Sequence, residues 1–168
     1  VFAGAQRLVG DATMIANYGS PNDLTLIVVS TQTTGGNQNY ISVARTATGN
    51  HVQLFRRTVS VELEARDNRG GTTRDADIDD EPGGLAMRAG VFRRSARPKV
   101  VYSSTIVEAA SNAGNAEAVA DIICAGSLRA GAYLNASIYH ASFFKRALSD
   151  VEIGQVLEYL EWRFETSL

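Results

Sequence analysis

The sequence predicts an all-β protein, a two-sheet antiparallel sandwich closed by one C-terminal amphipathic helix. Three observations carry this. Short runs rich in β-branched residues recur roughly every ten residues, separated by turns bearing glycine and asparagine. No helical periodicity falls between them. Only residues 145–164, "KRALSDVEIGQVLEYLEWRF", then repeat their apolar positions at helical spacing over a long stretch.

The elements follow in order. "DLTLIVVSTQ" (23–32) is almost continuously apolar, the pattern of a strand covered on both faces. "TTGGNQN" is a turn, and in "YISVAR" (40–45) Ile41 and Val43 share one side. "HVQLFRR" (51–57) and "VSVELEA" (59–65) come next; in the latter Val59, Val61, Leu63 and Ala65 alternate with Ser60, Glu62 and Glu64. That alternation predicts a half-exposed antiparallel strand. "RDNRGGTTRDADIDDEPGG" (66–84) is polar and glycine-rich and is expected to be a long surface loop. Strands return in "GLAMRAGVF" (84–92), "PKVVYSSTIVEAAS" (98–111), "VADIICAGS" (119–127) and "ASIYHASFF" (136–144).

The helix has a sharp start. Ser149 and Glu152 have the spacing of a capping box, and Leu148 and Ile153 that of a hydrophobic staple. Ile153, Val156, Leu157, Leu160 and Phe164 form one apolar stripe, which must lie against the sheets to be buried.

The 168 residues, 45% hydrophobic and 20% charged, suffice for one core, so residues 1–168 are expected to form a single domain. Val1 at the start leads to the expectation that this domain is part of a larger protein. A net charge of -2 gives no general attraction to nucleic acid or to an anionic membrane. No apolar run reaches membrane-spanning length. Cys124 is the only cysteine, so no internal disulfide forms.

The stretch "ASIYHASFFKRALSDVEIGQVLEYLEWRF" resembles the C-terminal signature of the laminin-G-like, concanavalin A-like jelly rolls of bacterial and phage proteins. The matching residues are Arg146, Ala147, Leu148, Ser149, Asp150, Glu152, Tyr159, Leu160 and Trp162. "FAGAQRL", "DLTLIVVS", "VVYSSTIV" and "IICAGS" agree more loosely with earlier strands of that family. Two departures stand out: the hairpin "YSSTI" lacks the usual Asn-Gly pair, and His140 replaces a common glutamate. The resemblance implies a jelly roll whose terminal helix is a strap at its edge or convex side, with Trp162 packed.

The fold hosts glycan binders, hydrolases and architectural parts, so the site must decide. Asp75, Asp77, Asp79, Asp80 and Glu81 bring carboxylates close together. Hard oxygens at Asp75, Asp77 and Asp79 are the candidate ligands of a Ca²⁺, which laminin-G-like domains often hold at the sandwich rim. The competing expectation is a solvated acidic loop screened by Arg69 and Arg74. A glycosidase needs two carboxylates on rigid elements. Asp75 lies in a loop-like setting and Asp67 breaks the register after Glu62 and Glu64, so no enzyme is expected.

Glycan binding calls for an exposed ring to stack on sugar C–H faces, with amides or acids reaching hydroxyls. Tyr40 beside Asn37 and Asn39, and Tyr133 beside Asn135, are the candidates, with Tyr18 as a third. Each competes with a tyrosine that merely closes a strand end. Two functions stay open: a non-catalytic module binding cell-surface glycan in an extracellular or phage virion protein, and an architectural domain contacting other virion or adhesin subunits. Homo-oligomers suit either. The basic group Arg93, Arg94, Arg97 and Lys99 lacks the interleaved aromatics of a nucleic-acid binder.

Overall fold

The computed structural model describes residues 8–9, 23–31, 38–44, 51–57, 62–69, 72–79, 81, 84–111, 122–125, 134, 136–165 and 168. These form eleven strands and one helix: β1 (Leu8–Val9), β2 (Leu24–Thr31), β3 (Gln38–Ala44), β4 (His51–Arg56), β5 (Leu63–Asp67), β6 (Arg74–Ile78), β7 (Leu85–Phe92), β8 (Lys99–Tyr102), β9 (Thr105–Glu108), β10 (Ile122–Ala125), β11 (Ile138–Phe144) and α1 (Asp150–Phe164). A six-stranded sheet runs β1-β10-β3-β4-β5-β6 and a five-stranded sheet runs β11-β2-β7-β8-β9. Every pairing is antiparallel. This is the predicted jelly-roll sandwich.

The inner faces meet in one core. Leu24, Leu26 and Val28 of β2 pack with Ile41, Val43, Val52, Leu54, Leu63 and Ala65 from the other sheet. The alternate residues of β2, Ile27 and Val29, face outward into a second apolar cluster with Met87, Ala89, Leu148, Ile153 and Leu160. The helix therefore lies on the outer face of the five-stranded sheet, and β2 is almost continuously apolar because both its faces are covered.

Ser149 and Glu152 complete the capping box: the Ser149 hydroxyl accepts from the Glu152 N–H, while the Glu152 carboxylate accepts from the Ser149 N–H at 2.8 Å. The preceding turn is pinned to β2. The Thr25 hydroxyl donates to the Arg146 carbonyl at 3.0 Å and accepts from the Leu148 N–H at 2.9 Å. Leu148 and Ile153 are both buried, as a staple requires.

Three expectations are corrected. Residues 66–84 are not one long loop, since 66–67 end β5 and 74–78 form β6. Ala76 and Ile78 point into the core while Asp75 and Asp77 point away from it, so a period-two strand was hidden under acidic residues. Glu64, expected on a half-exposed strand, is fully buried. Trp162, expected to pack, is 75% exposed. The hairpin without Asn-Gly closes through Ser103, whose φ of 49° supplies the left-handed residue, directly between the paired Tyr102 and Thr105.

Charged side chains also lie between the sheets. Arg88 alternates inward with Gly90 and Phe92, and the Phe92 ring occupies the space a side chain at Gly90 would need. Arg88 donates to Glu81 and to the Ser30 carbonyl, the latter at 2.6 Å. Arg69 donates to Asp67 at 2.6 Å and to the Arg93 carbonyl at 3.2 Å, which ties the end of β5 to the residue after β7.

Candidate functional site

The outer face of the six-stranded sheet carries the densest chemistry. Because β4, β5 and β6 are in antiparallel register, Gln53, Arg66 and Asp75 form one cross-strand row, and Phe55, Glu64 and Asp77 the next. Arg66 and Asp75 are direct neighbours and make a paired contact, Nε to Oδ1 at 2.9 Å and Nη2 to Oδ2 at 3.2 Å. Arg66 also meets Glu64 at 2.6 Å, and its guanidinium lies 4.7 Å from the centroid of the Phe55 ring. Arg57 reaches Glu64 at 3.3 Å and Glu62 at 3.5 Å.

Glu62, Glu64 and Asp77 bring one carboxylate oxygen each within 4.8 Å of one another. Glu64 lies sealed at the middle, with no exposed side-chain surface. Burial, together with a hydrogen bond to Asp75, pushes its carboxyl up to about 8 in spite of Arg66 and Arg57. Asp77 is also raised, by burial and by the charges of Asp75 and Glu62. The face can present the Arg66 guanidinium and several carboxylates to a polar ligand from the strands, with the Arg57 guanidinium one residue past β4.

Of the expected calcium ligands, Asp75 is engaged by Arg66, Asp77 belongs to the carboxylate group, and Asp79 is exposed one residue beyond β6. Three carboxylates gather here beside two arginines. A Ca²⁺ of about six to eight oxygens would need bidentate carboxylates, backbone carbonyls or waters to complete its shell at this place.

Tyr40 offers no stacking face because it is fully buried. Its hydroxyl donates to both oxygens of Glu81 at 3.3 Å, and the Arg88 guanidinium lies 5.0 Å from its ring centroid. Burial raises its phenol further above the usual range. A bulge between Asn39 and Ile41 lets both Tyr40 and Ile41 join the core. Asn39 is also buried, donating to the Ser42 hydroxyl at 3.0 Å. Asn37, Tyr133 and Asn135, with Tyr18, lie outside the described residues.

Sequence reasoning passed over Arg57, Arg66 and Phe55. The signal was present in "VELEARD": Glu62, Glu64 and Arg66 alternate at strand spacing, which places all three on one face.

No family model matches the sequence, and neither does any curated protein. Solved structures do match. A native heptameric SAP-like pentraxin from Limulus polyphemus superposes with a TM-score of 0.65 at 13% identity, over 92% of this chain and 79% of that one. The CBM40 of the Ruminococcus gnavus IT-sialidase gives 0.65 at 16% identity, over 84% of this chain and 85% of that one. Domains LG4-5 of the mouse laminin alpha1 chain give 0.59 at 13% identity, over 88% of this chain and 43% of that one. The chain thus has the concanavalin A-like jelly-roll fold, as the C-terminal signature implied. No helix among the described residues is long and apolar enough to cross a membrane.

Proposed function

We propose that this domain is a non-catalytic recognition module that holds a hydroxyl-rich ligand, a surface glycan, against the outer face of the six-stranded sheet. The observation that carries this is the cross-strand array of Arg66, Asp75 and Asp77 on β5 and β6, with Arg66 over Phe55 and Arg57, one residue past β4, reaching Glu64 and Glu62 beside it. Such groups meet sugar hydroxyls, or a sugar carboxylate, with charge-assisted hydrogen bonds. The likeness to a sialidase CBM40 supports the ligand class.

The burial of Glu64 supports a binding role over a catalytic one. A general acid must come within hydrogen-bond reach of the leaving oxygen, and Glu64, the carboxyl raised to about 8, is covered by its neighbours. Asn37, Tyr133 and Asn135, singled out from the sequence alone, belong to the proposal as secondary contacts. The setting proposed is an extracellular or phage virion protein, with other subunits or further copies of this chain as partners.

A glycan array with the wild-type domain tests this, followed by calorimetry on any hit. Saturable binding that Arg57→Ala weakens about tenfold or more is the expected result. Absence of saturable binding to any glycan would leave an architectural domain.

A further inference from the structure

Trp162 and Tyr159 are 75% and 53% exposed on α1, although the helix is firmly anchored through Ile153 and Leu160. Residues three apart on a helix share a side, and the two rings stand with centroids 6.0 Å apart and planes inclined by 38°. We propose that this pair is a second carbohydrate contact, a stacking platform for the apolar C–H face of a pyranose. It lies on the side of the molecule opposite the charged sheet face, because α1 covers the outer face of the other sheet. The proposal deepens the recognition function by adding a site, and it shares only the ligand class with the sheet-face site.

The area decides the occupant. A stable protein partner needs about 800 Å² on each side, whereas an aromatic side chain buries about 150–250 Å². Even with Tyr139, 54% exposed and edge-on to Phe164 at 6.3 Å, the exposed rings fall short. The patch is also interrupted: Gln155, Glu158, Arg163 and Glu165 are exposed around the pair and separate it from Val151. A small apolar platform with a polar rim suits one or two sugar units, whose C–H faces lie on the rings while their hydroxyls reach those side chains.

Trp162 is the only tryptophan, so its emission reports this site alone. The wild-type domain is titrated with cellohexaose, chitohexaose and 3′-sialyllactose. Saturable quenching with a blue shift is expected for at least one, about tenfold weaker in Tyr159→Ala and unchanged in Arg57→Ala. Trp162→Ala, which should melt as the wild type does, is expected to lose the same affinity by calorimetry. Emission unmoved by all three sugars overturns the platform, as does a titration that Tyr159→Ala leaves unaltered. A blue shift that grows with protein concentration in the absence of sugar also overturns it, by placing a second copy there. Sugar binding abolished by Arg57→Ala with Trp162 emission static defeats this proposal and leaves the sheet face intact; the reverse pattern does the opposite.

Discussion

Arg88 donates its Nε–H to the Glu81 carboxylate between the two sheets, and neither side chain has any exposed surface. Arg56 approaches the same carboxylate at 3.5 Å, and the Tyr40 hydroxyl donates to it. Glu81 thus offsets part of the positive charge that Arg88 and Arg56 bring into the interior. Removing one member of a buried pair costs about 3–5 kcal/mol, because the other is left uncompensated. Glu81→Gln is therefore expected to lose that much in urea unfolding. Arg88→Met combined with Glu81→Gln is expected to lose clearly less than the two single losses added together. Additive losses would show that the two residues act separately.

Glu64 gives the fold a pH dependence of definite sign. Its folded value, about 8, lies above its ordinary value of 4.5. The folded state therefore holds the proton more tightly than the unfolded chain, and stability falls as pH rises wherever the folded state binds more protons. Glu64's contribution is complete below about 4.5 and is lost as pH rises through about 8. Melting temperature of the wild type relative to Glu64→Gln should decline between these limits. A parallel pair of curves would refute it.

The sandwich and the strap were legible because their signals are local. β2 announced two covered faces by a nearly continuous apolar run, and α1 announced its start through Ser149 and Glu152. What stayed hidden depends on distant partners. Glu81 sits in an acidic segment, yet its fate is set by Tyr40, 41 positions away, and by Arg88. Asp75 and Asp77 read as loop because their acidity masked the alternation of Ala76 and Ile78. The charged face needed the register of β5 against β6 before Arg66 could be matched with Asp75. Trp162 was misplaced for a different reason. Two residues past Leu160 lies about 200° around a helix, so the periodicity put Trp162 off the buried stripe, and only the family resemblance suggested packing.

The strap should be separable into seam and stripe. Thr25→Val removes both hydrogen bonds to the Arg146–Leu148 turn and leaves the buried Leu148 N–H without that acceptor. A loss of about 1–3 kcal/mol is expected. Leu160→Ala opens a cavity under the helix and should lose about 2–5 kcal/mol. Ser149→Ala should lose about 1 kcal/mol through the cap alone. An undiminished denaturation midpoint in Leu160→Ala would mean that α1 does not hold the five-stranded sheet.

Two arginines lie against the acidic face, and chelation tests whether a cation is needed there as well. Arg66 pairs with Asp75 and Glu64, and Arg57 with Glu64 and Glu62. EDTA is expected to leave the melting temperature unchanged, since a ligand bound only to the folded state would raise it by mass action. A fall of several degrees, restored by Ca²⁺, would instead assign a cation to these carboxylates.

Ser103 offers a gain in stability at one position. It turns β8 into β9 with φ at 49°, a conformation that costs a residue bearing a Cβ about 1–2 kcal/mol. Glycine avoids that cost but carries about 0.5–1 kcal/mol of extra chain entropy, so Ser103→Gly should gain about 0.5 kcal/mol. For a chain of this size that corresponds to a rise of about 1–2 °C in Tm. Ser103→Ala keeps the unfavourable φ and should show no gain. Ser103→Pro should lose stability, because the ring cannot adopt positive φ and the Ser103 N–H donates to the Met87 carbonyl at 2.9 Å. Equal melting temperatures for the glycine and alanine variants would show that the turn does not hold this residue in the left-handed region.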